Sequence, residues 1–370
     1  MKRIAVNARF LCERVTGVQR YAIEVCQALI PRLAGQGIEV VLLAPKGKLL
    51  PLGGGAQVVQ ADRALHVYAW EQLVLPRMVR ATGADLLWSP CNLGPLAVAR
   101  QVVTIHDASI FAHPEWFDWR VALLYRLLLP RLARRARRVL TDSHASAHDL
   151  IRHGVVPPEK LRVVYSGVGF APGRLPGVLA RPLPEPYFLT VSSLEPRKNL
   201  RRLLAAWTRI HALGALPEHR LVIVGAPARV FSGGALGDSL SPKVITVGYV
   251  PDEELQRYYY WADAFLYPSL YEGFGLPPLE AMVFAKPTLV SDTPSLREVC
   301  GDAALYCNPL SVEDIVAKVL RLATDKALRA RLSSMAPARA ANFTWDRAAE
   351  AVAQILGEVL DAVTPAGPPR

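Results

Sequence analysis

The sequence predicts an α/β protein built from two doubly wound domains. Short apolar runs with the character of buried parallel strands alternate with helical segments through most of the 370 residues. This alternation is interrupted by a Gly- and Pro-rich segment, 171–186, and then starts again. Two successive β/α series joined by one linker predict two doubly wound domains that face each other across a cleft.

The first series gives an N-terminal domain of residues 1–170. Its predicted strands are KRIAVNA, IEVVLLA, QVVQAD, ADLLWSP, QVVTIHD, the RRVLT run and LRVVYSGV, and its first helix is VQRYAIEVCQALIPRLA. Asp142 or Ser143 is the predicted N-cap of the helix that follows RRVLT.

The second series gives a C-terminal domain of residues 187–345. Its predicted strands are YFLTVSSL, HRLVIVGAP, KVITVGYV, AFLYPSL and KPTLVSD. Its predicted helices are NLRRLLAAWTRIHAL, DEELQRYYYWAD, LEAMVFA and SVEDIVAKVLRLATD. The final segment, about 346–364, has the pattern of an amphipathic helix with no strand after it.

Composition excludes several classes of protein. A hydrophobic fraction of 51% is typical of a globular chain, and no apolar run approaches the roughly 18 residues of a membrane-spanning helix. The opening MKRIAVNARF lacks a signal-peptide core, which predicts a cytoplasmic protein. The 5 cysteines are scattered without CxxC spacing, so neither a disulfide framework nor a zinc site is expected.

The positive charge is confined to the first half of the chain. Residues 1–180 carry 23 Lys and Arg against 12 Asp and Glu, whereas residues 181–370 carry 20 of each, and the net charge is +11. This asymmetry predicts an anionic partner, such as an acidic substrate, an anionic membrane surface or nucleic acid. Nucleic acid is disfavoured because the arginines cluster on one segment without an aromatic binding motif.

That segment is WRVALLYRLLLPRLARRARRV, residues 119–139. Its arginines accompany a strongly apolar face: Arg120, Arg126, Arg131, Arg134, Arg135, Arg137 and Arg138. The pattern fits a helix lying on an anionic membrane and, equally, an ordinary domain helix with a solvated basic face.

Ligands of open α/β sheets bind beyond the carboxyl ends of the strands, so the loops there hold the candidate site. In SLYEGFGLPPLEAM, Glu272 and Glu280 flank a Gly-Phe-Gly turn and a helix that begins with prolines. A helix N-terminus favours an anion, which the two carboxylates can bracket. The simpler alternative is that both acids only complement the helix dipole.

Three further loops carry candidate residues. Arg197 and Lys198 in SSLEPRKN precede a helix, where adjacent cations suit a diphosphate, unless the loop is only a solvated basic turn. His106 ends the strand VVTIHD and can donate to a substrate hydroxyl, act as a base or be structural. Gly17, before the first helix, can bring N–H groups to a phosphate or form a plain turn.

Several motifs are absent from the sequence. It contains no GxGxxG after the first strand, no P-loop, no HExxH and no GxSxG. It also has no Asp-x-Asp pair to hold Mg²⁺ against a nucleotide diphosphate. We therefore expect no metal and no cofactor, with Arg197, Lys198 and helix dipoles neutralising any diphosphate.

These motifs resemble a known family. EGFGLPPLE matches the E-x7-E signature of the retaining glycosyltransferases of family 4, which have the GT-B fold of two Rossmann-like domains. SLEPRKNL, VVTIHD, VVYSGV and SDTPSLREVCGDAAL are similar to that family in order and spacing. The resemblance covers nearly the whole chain. Gln19 departs from it, because the family often has GIGRY where this chain has GVQRY.

The resemblance implies a role for each matching position. Glu272 contacts the donor sugar with the N–H groups of Phe274, Gly275 and Leu276, and Glu280 holds the ribose. Arg197 and Lys198 bind the diphosphate. His106 is implied to be catalytic, with Arg197, Lys198 and Glu272, and to lie near the anomeric region of the sugar. The remaining implied donor-binding positions are Gly17, Ser192, Tyr249 and Val250. The last helix crosses back to the first domain.

The resemblance implies a retaining glycosyltransferase that moves a hexose from a nucleotide sugar to a lipid-linked or polysaccharide acceptor. SLEPRKN together with TIHD is most similar to users of GDP-mannose, which favours α-mannosyl transfer by a front-face mechanism. Rhamnosyl or UDP-hexose transfer remains an alternative, as does a sugar-nucleotide-binding protein without turnover. The basic first domain is consistent with a phosphate-bearing acceptor and peripheral attachment to the inner face of a membrane.

Overall fold

The computed structural model describes residues 2–170, 180–225 and 243–362. The chain divides into two compact units, Met1–Gly167 with Phe343–Arg370, and Val168–Asn342. The predicted linker, 171–186, lies outside the described residues up to residue 179, and 180–186 contain neither helix nor strand. The end of the predicted last helix, residues 363 and 364, is also outside them.

The first unit is organised around a parallel sheet. Its strands are β1 Lys2–Asn7, β2 Ile38–Ala44, β3 Gln57–Gln60, β4 Leu86–Ser89, β5 Gln101–Thr104, β6 Arg138–Thr141 and β7 Leu161–Val163. Within the described residues they are ordered β3-β2-β1-β4-β5-β6-β7, and each neighbouring pair is parallel. The carboxyl ends of all these strands therefore meet at one edge.

The helices of the first unit cover both faces of this sheet. They are α1 Gly17–Gly35, α2 Val67–Ala69, α3 Leu75–Ala81, α4 Ser109–Ala112, α5 Trp119–Arg135 and α6 His144–Arg152. A π-helical turn, Trp70–Val74, joins α2 to α3. Successive residues of β1 enter different cores, since Ile4 and Val6 pack with α1 whereas Ala5 packs with the π-turn and α3. This is the doubly wound arrangement that the sequence predicts.

The second unit repeats this design. Its strands are β8 Tyr187–Val191, β9 Arg220–Val224, β10 Val244–Gly248, β11 Ala264–Tyr267, β12 Thr288–Ser291 and β13 Leu305–Cys307. They form a parallel sheet in the order β10-β9-β8-β11-β12-β13 among the described residues.

Helices flank this second sheet as well. They are α7 Leu200–Ala212, α8 Asp252–Trp261, α9 Leu276–Val283, α10 Pro294–Cys300, α11 Val312–Thr324 and α12 Lys326–Ala340. Phe188 of β8 and Trp207 of α7 lie in the core that joins these helices to the sheet, with ring centroids 5.7 Å apart. The core fixes where each strand ends and hence where the loops begin.

The last helix, α13 Trp345–Asp361, belongs to the first unit. Its buried Val352 and Leu356 share a core with Val25 and Leu29 of α1. The chain enters α13 against Gly167, where an added Cβ would lie 2.3 Å from the backbone nitrogen of Trp345. A glycine is required there because backbone atoms cannot move aside as a flexible side chain can.

We expect Gly167→Ala to lower the free energy of unfolding by about 2 kcal/mol or more, because the new methyl group overlaps the start of α13. Urea denaturation followed by circular dichroism measures this. Gly357→Ala, inside α13, is the matched control, since its Cβ meets nothing within 4 Å and should raise helix stability by about 0.5–1 kcal/mol. Equal stability of Gly167→Ala and the wild type would contradict the proposed packing.

Candidate functional site

The loop after β8 carries the predicted cation pair and is held by Asn199. A short turn, Pro196–Lys198, leads to Asn199, which caps α7 in the left-handed conformation at φ 58°. Asparagine tolerates this conformation better than most residues. Its buried amide nitrogen donates to the carbonyls of Pro268 at 2.8 Å and Pro309 at 2.7 Å. The β8 loop is thereby fastened to the loop after β11.

The loop after β11 is fixed from its own side. The backbone N–H of Leu270 donates to the carbonyl of Arg197 at 2.7 Å. Gly275 then caps α9 at φ 107°, and a Cβ there would lie 2.7 Å from Leu296 Cδ2. Conformation and space both require glycine, as the Gly-Phe-Gly pattern indicates. Prolines occupy the first turn of α9, which suits their lack of an N–H.

These two loops bring Glu272, Arg197 and Lys198 together. Lys198 Nζ donates to Glu272 Oε1 at 2.7 Å, and Arg197 Nη1 donates to Glu272 Oε2 at 3.3 Å. Lys198 Nζ also donates to the hydroxyl of Tyr267, at 2.6 Å. Arg197 has a second carboxylate partner, Glu195. Both cations are therefore already paired, which the sequence did not predict.

Burial and charge shift the pKa values of this cluster. Burial alone raises the pKa of Glu272, but the charges of Lys198 and Arg197 outweigh it and hold that pKa below its ordinary value. Burial lowers the pKa of Lys198, and the neighbouring Arg197 lowers it further, against the opposing charge of Glu272. The carboxylate is thus stabilised as an anion, whereas the ammonium loses its proton more readily than an exposed lysine does.

Glu280 lies in a separate environment. It is buried in α9 and accepts a hydrogen bond of 2.7 Å from the hydroxyl of Tyr259. The ring of Tyr259 stacks on Phe284, with centroids 5.8 Å apart and planes at 6°. The two glutamates of the E-x7-E pattern therefore differ in their partners: Glu272 contacts cations and Glu280 a phenol.

The other predicted donor positions of the second unit lie at the same sheet edge. Ser192 follows β8, and its Oγ donates to the carbonyl of Ser193 at 2.8 Å. Tyr249 and Val250 follow β10, with Tyr249 exposed and Val250 buried. Phe274 is buried beside Gly275, and Leu276 begins α9. Their shared edge follows from the parallel strands, since β8, β10 and β11 all end there.

His106 lies at the corresponding edge of the sheet in the first unit. Its Nδ1 is 2.7 Å from Asp142 Oδ2, and its Nε2 is 2.9 Å from the carbonyl oxygen of Pro90. A carbonyl can only accept, so Nε2 carries a proton. Although burial lowers the pKa of His106, the charge and hydrogen bond of Asp142 outweigh it and raise that pKa. Both ring nitrogens are engaged, which favours a structural or electrostatic role over that of a base.

Asp142 was not identified from the sequence as a partner of His106. Of the two residues predicted as the N-cap of α6, Ser143 is the cap, because its Oγ accepts from the N–H of Ser146 at 3.0 Å. Asp142 Oδ1 is buried and has no hydrogen-bond partner among the described residues. Part of this could be read from the sequence, because Asp142 follows β6, and β6 lies next to β5, which ends two residues before His106.

Gly17 begins α1, and Thr16 is its N-cap. Gln19, the departure from the family pattern, completes a capping box by accepting from the N–H of Thr16 at 3.2 Å. Its Nε2 donates to Glu13 at 2.7 Å. A Cβ on Gly17 would meet no described atom within 4 Å. Packing within the described chain therefore does not explain a glycine there.

A second buried charge cluster, which the sequence did not predict, lies in the first unit. Glu71, in the π-helical turn, accepts from Asn7 Nδ2 at 2.6 Å and lies 3.5 Å from Arg9 Nη1. Burial raises the pKa of Glu71 despite the opposing influence of Arg9 and Asn7. Asn7 ends β1 and Arg9 follows it, so their place at the carboxyl edge was predictable. The sequence gives no indication that Glu71 would join them, because WEQLV has an ordinary helical pattern.

No group of three or more His, Cys, Asp or Glu side chains in the described residues is arranged to hold a metal ion. No helix in the same part of the chain is long and apolar enough to cross a membrane.

Comparisons with known proteins agree with the resemblance of the motifs. Residues 15–170 match the family model described as Glycosyltransferase Family 4, and residues 174–339 match the model described as Glycosyl transferases group 1. The chain is 33% identical over 267 residues to O-antigen chain mannosyltransferase B of Escherichia coli, which covers 68% of each chain. It is 30% identical over 249 residues to O-antigen chain mannosyltransferase RfbU of Salmonella typhimurium, covering 66% of each.

The fold is shared with solved structures of other proteins. HepE of Anabaena, determined in complex with UDP-glucose, superimposes with a TM-score of 0.69 over 98% of this chain and 100% of that one, at 17% identity. The GT-B fold expected from the motifs is therefore confirmed. The chain belongs to glycosyltransferase family 4 and is a glycosyltransferase.

Proposed function

We propose that this glycosyltransferase transfers α-mannose from GDP-mannose, with retention of configuration, to a lipid-linked or polysaccharide acceptor of the O-antigen kind. The observation that carries this proposal is the buried contact of Glu272 with Lys198 and Arg197 at the carboxyl edge of the second sheet. Mannose as the sugar is supported by the names of the two relatives at 30–33% identity.

The state of Glu272 favours a positioning role over a nucleophilic one. Its two oxygens face two cations, and its pKa lies below the ordinary value although burial opposes this. Such a carboxylate is a weak base and a weak nucleophile. Glu272 is therefore assigned to the hydroxyls of the donor sugar, and Glu280 is assigned to the ribose on the resemblance to the family.

Retention without a carboxylate nucleophile implies reaction on one face of the sugar. The bond between the anomeric carbon and the β-phosphate oxygen breaks, and the acceptor hydroxyl oxygen bonds to the same face of that carbon. The acceptor proton passes to the departing phosphate oxygen, so GDP leaves as the second product. Arg197 and Lys198 offset the charge that grows on this phosphate, a task that needs no metal ion.

The two cations must exchange partners when a diphosphate binds. In the present structure Glu272 and Glu195 pair with them. A diphosphate offers more oxygens and more charge than either carboxylate, and charge-assisted hydrogen bonds to it are strong. Glu272 is then released to accept from the sugar hydroxyls. This coupling links diphosphate binding to sugar positioning.

A UDP-hexose donor is the second candidate. It is favoured by the likeness to HepE, whose structure contains UDP-glucose, although 17% identity supports only the fold. A dTDP-rhamnose donor fits the same diphosphate site, because few side chains select the sugar and the base. A sugar-nucleotide-binding protein without turnover is disfavoured by the complete set of Arg197, Lys198 and Glu272.

We expect the wild type to bind GDP and GDP-mannose more tightly than UDP, UDP-glucose or dTDP ligands in isothermal titrations with EDTA present. Lys198→Ala should weaken GDP binding roughly tenfold to a hundredfold, since a hydrogen bond to a charged group is lost. Arg201→Ala is the matched control, because Arg201 is exposed on α7. Preference for UDP would overturn the choice of donor, and absence of nucleotide binding would overturn the proposal itself.

The anomeric outcome tests retention. We expect NMR of the product formed from GDP-α-mannose to show an α-linkage, and we expect Glu272→Gln to lower kcat by about a hundredfold or more without changing that linkage. Glu253→Gln, on the exposed face of α8, should be active. A β-linked product would exclude retention. A covalent mannosyl adduct on Glu272 in the wild type, seen by mass spectrometry, would exclude the positioning role.

The affinity for GDP should depend on pH through Lys198. Its pKa is lowered by burial and by Arg197, and a diphosphate prefers the charged ammonium. Affinity is therefore complete below this lowered pKa and falls as the pH rises through it, at a lower pH than an ordinary lysine with pKa about 10.4 would give. Lys198→Arg, titrated with the same ligand, should show only the titration of the guanine base. If the affinity of the wild type for GDP and that of Lys198→Arg depended on pH in the same way, this role of Lys198 would be contradicted.

A further inference from the structure

Helix α5 presents an exposed face that combines large apolar side chains with arginines. Trp119, Leu123 and Leu127 are 66%, 51% and 47% exposed. They are spaced by four residues, so they span only about 80° of the helix circumference. The helix packs on the first unit through other positions, and its buried residues are Ala122, Leu129, Leu132 and Ala133.

The arginines of α5 surround this apolar stripe. Those exposed to solvent are Arg120, Arg126, Arg131, Arg134 and Arg135. The helix contains no Asp or Glu. The acids nearest in sequence, Glu115 and Asp118, precede the helix, and Asp118 is engaged as its N-cap by accepting from the N–H of Arg120 at 2.9 Å. Arg120 also lies over the ring of Trp119, 5.3 Å from its centroid.

A solvated basic helix does not account for this face. Single exposed apolar residues are common on soluble proteins, but three in one stripe form a patch that usually meets a partner. Cations around the stripe complement an anionic surface, and they oppose pairing with a second copy of the chain, because no carboxylate on α5 could neutralise them. Tryptophan at the end of the stripe suits the boundary between headgroups and acyl chains.

We propose that α5 lies in the plane of an anionic phospholipid bilayer, with Trp119, Leu123 and Leu127 inserted below the headgroups and the arginines among the lipid phosphates. This surface rests on the proposed function, because it would bring the enzyme to a lipid-linked acceptor. The charge asymmetry of the sequence predicts an anionic partner of several possible kinds. The proposal identifies this partner as a phospholipid bilayer that contacts α5.

Vesicle co-sedimentation of the full chain, without any nucleotide, tests the proposal. We expect binding to vesicles of phosphatidylcholine mixed with phosphatidylglycerol and little binding to phosphatidylcholine alone. Binding should fall steeply at about 0.5 M NaCl, where the Debye length is shorter than 5 Å. Equal binding to both kinds of vesicle, or no binding, would overturn the proposal.

Two pairs of variants separate the apolar from the ionic contribution. Leu123→Gln with Leu127→Gln should weaken vesicle binding about tenfold or more, whereas Leu213→Gln with Leu310→Gln, which are even more exposed at 63% and 66% in the second unit, should not. Arg126→Gln or Arg131→Gln should each weaken it about fivefold, against no change for Arg331→Gln on α12. Equal losses in the α5 variants and their controls would overturn the assignment of the surface.

GDP binding by the same variants distinguishes this proposal from the proposed function. The α5 variants should retain the wild-type affinity for GDP, because they lie outside the diphosphate loops. Vesicle binding without nucleotide binding would overturn the transferase proposal alone, and nucleotide binding without vesicle binding would overturn the membrane surface alone. Dimerisation in solution that is lost in Leu123→Gln with Leu127→Gln would assign the stripe to a second copy instead.

Discussion

The buried contact of one carboxylate with two cations is the interaction on which the second unit's chemistry depends. Removing Glu272 and Lys198 from water costs several kcal/mol for each ion, and the attraction between them and the partly exposed Arg197 offsets this only when the geometry is good. The geometry is supplied by Asn199 and by the bond from Leu270 to Arg197. The charge cluster and the two loops that carry it therefore stabilise one another.

This dependence explains why the neighbouring loop residues are so constrained. Gly275 must accept a positive φ in a space that a Cβ would share with Leu296. Asn199 must accept a left-handed conformation while its amide joins two other loops. Each constraint holds Lys198 within hydrogen-bonding distance of Glu272. A loop free to move would leave a buried ion unpaired, at a cost larger than that of the strained backbone.

The first unit uses the same device with different residues. The pair of His106 and Asp142 and the set of Asn7, Arg9 and Glu71 are both buried at the carboxyl edge of its sheet. In each, a charged or polar group on one strand end is satisfied by a group from a separate element. The exposed arginines of α5 are the opposite case, since they face solvent without an acid on their own helix. The buried charged groups described here thus have partners of opposite charge, whereas the exposed arginines have none on α5.

The sequence by itself determined the strand and helix pattern, the doubly wound topology and the edge where the candidate residues lie. These follow from local rules, because hydrophobic periodicity sets the elements and parallel strands place their carboxyl ends together. Glycine and proline in EGFGLPP likewise predicted the turn before α9. Only the tertiary structure decided which charges meet: that Glu272 pairs with Lys198, that Asp142 engages His106 while Ser143 caps α6, and that Glu71 faces Arg9. It also decided that Trp119, Leu123 and Leu127 are exposed rather than buried. Such outcomes depend on contacts between residues far apart in the chain, and no local pattern encodes which of several possible partners a buried charge will find.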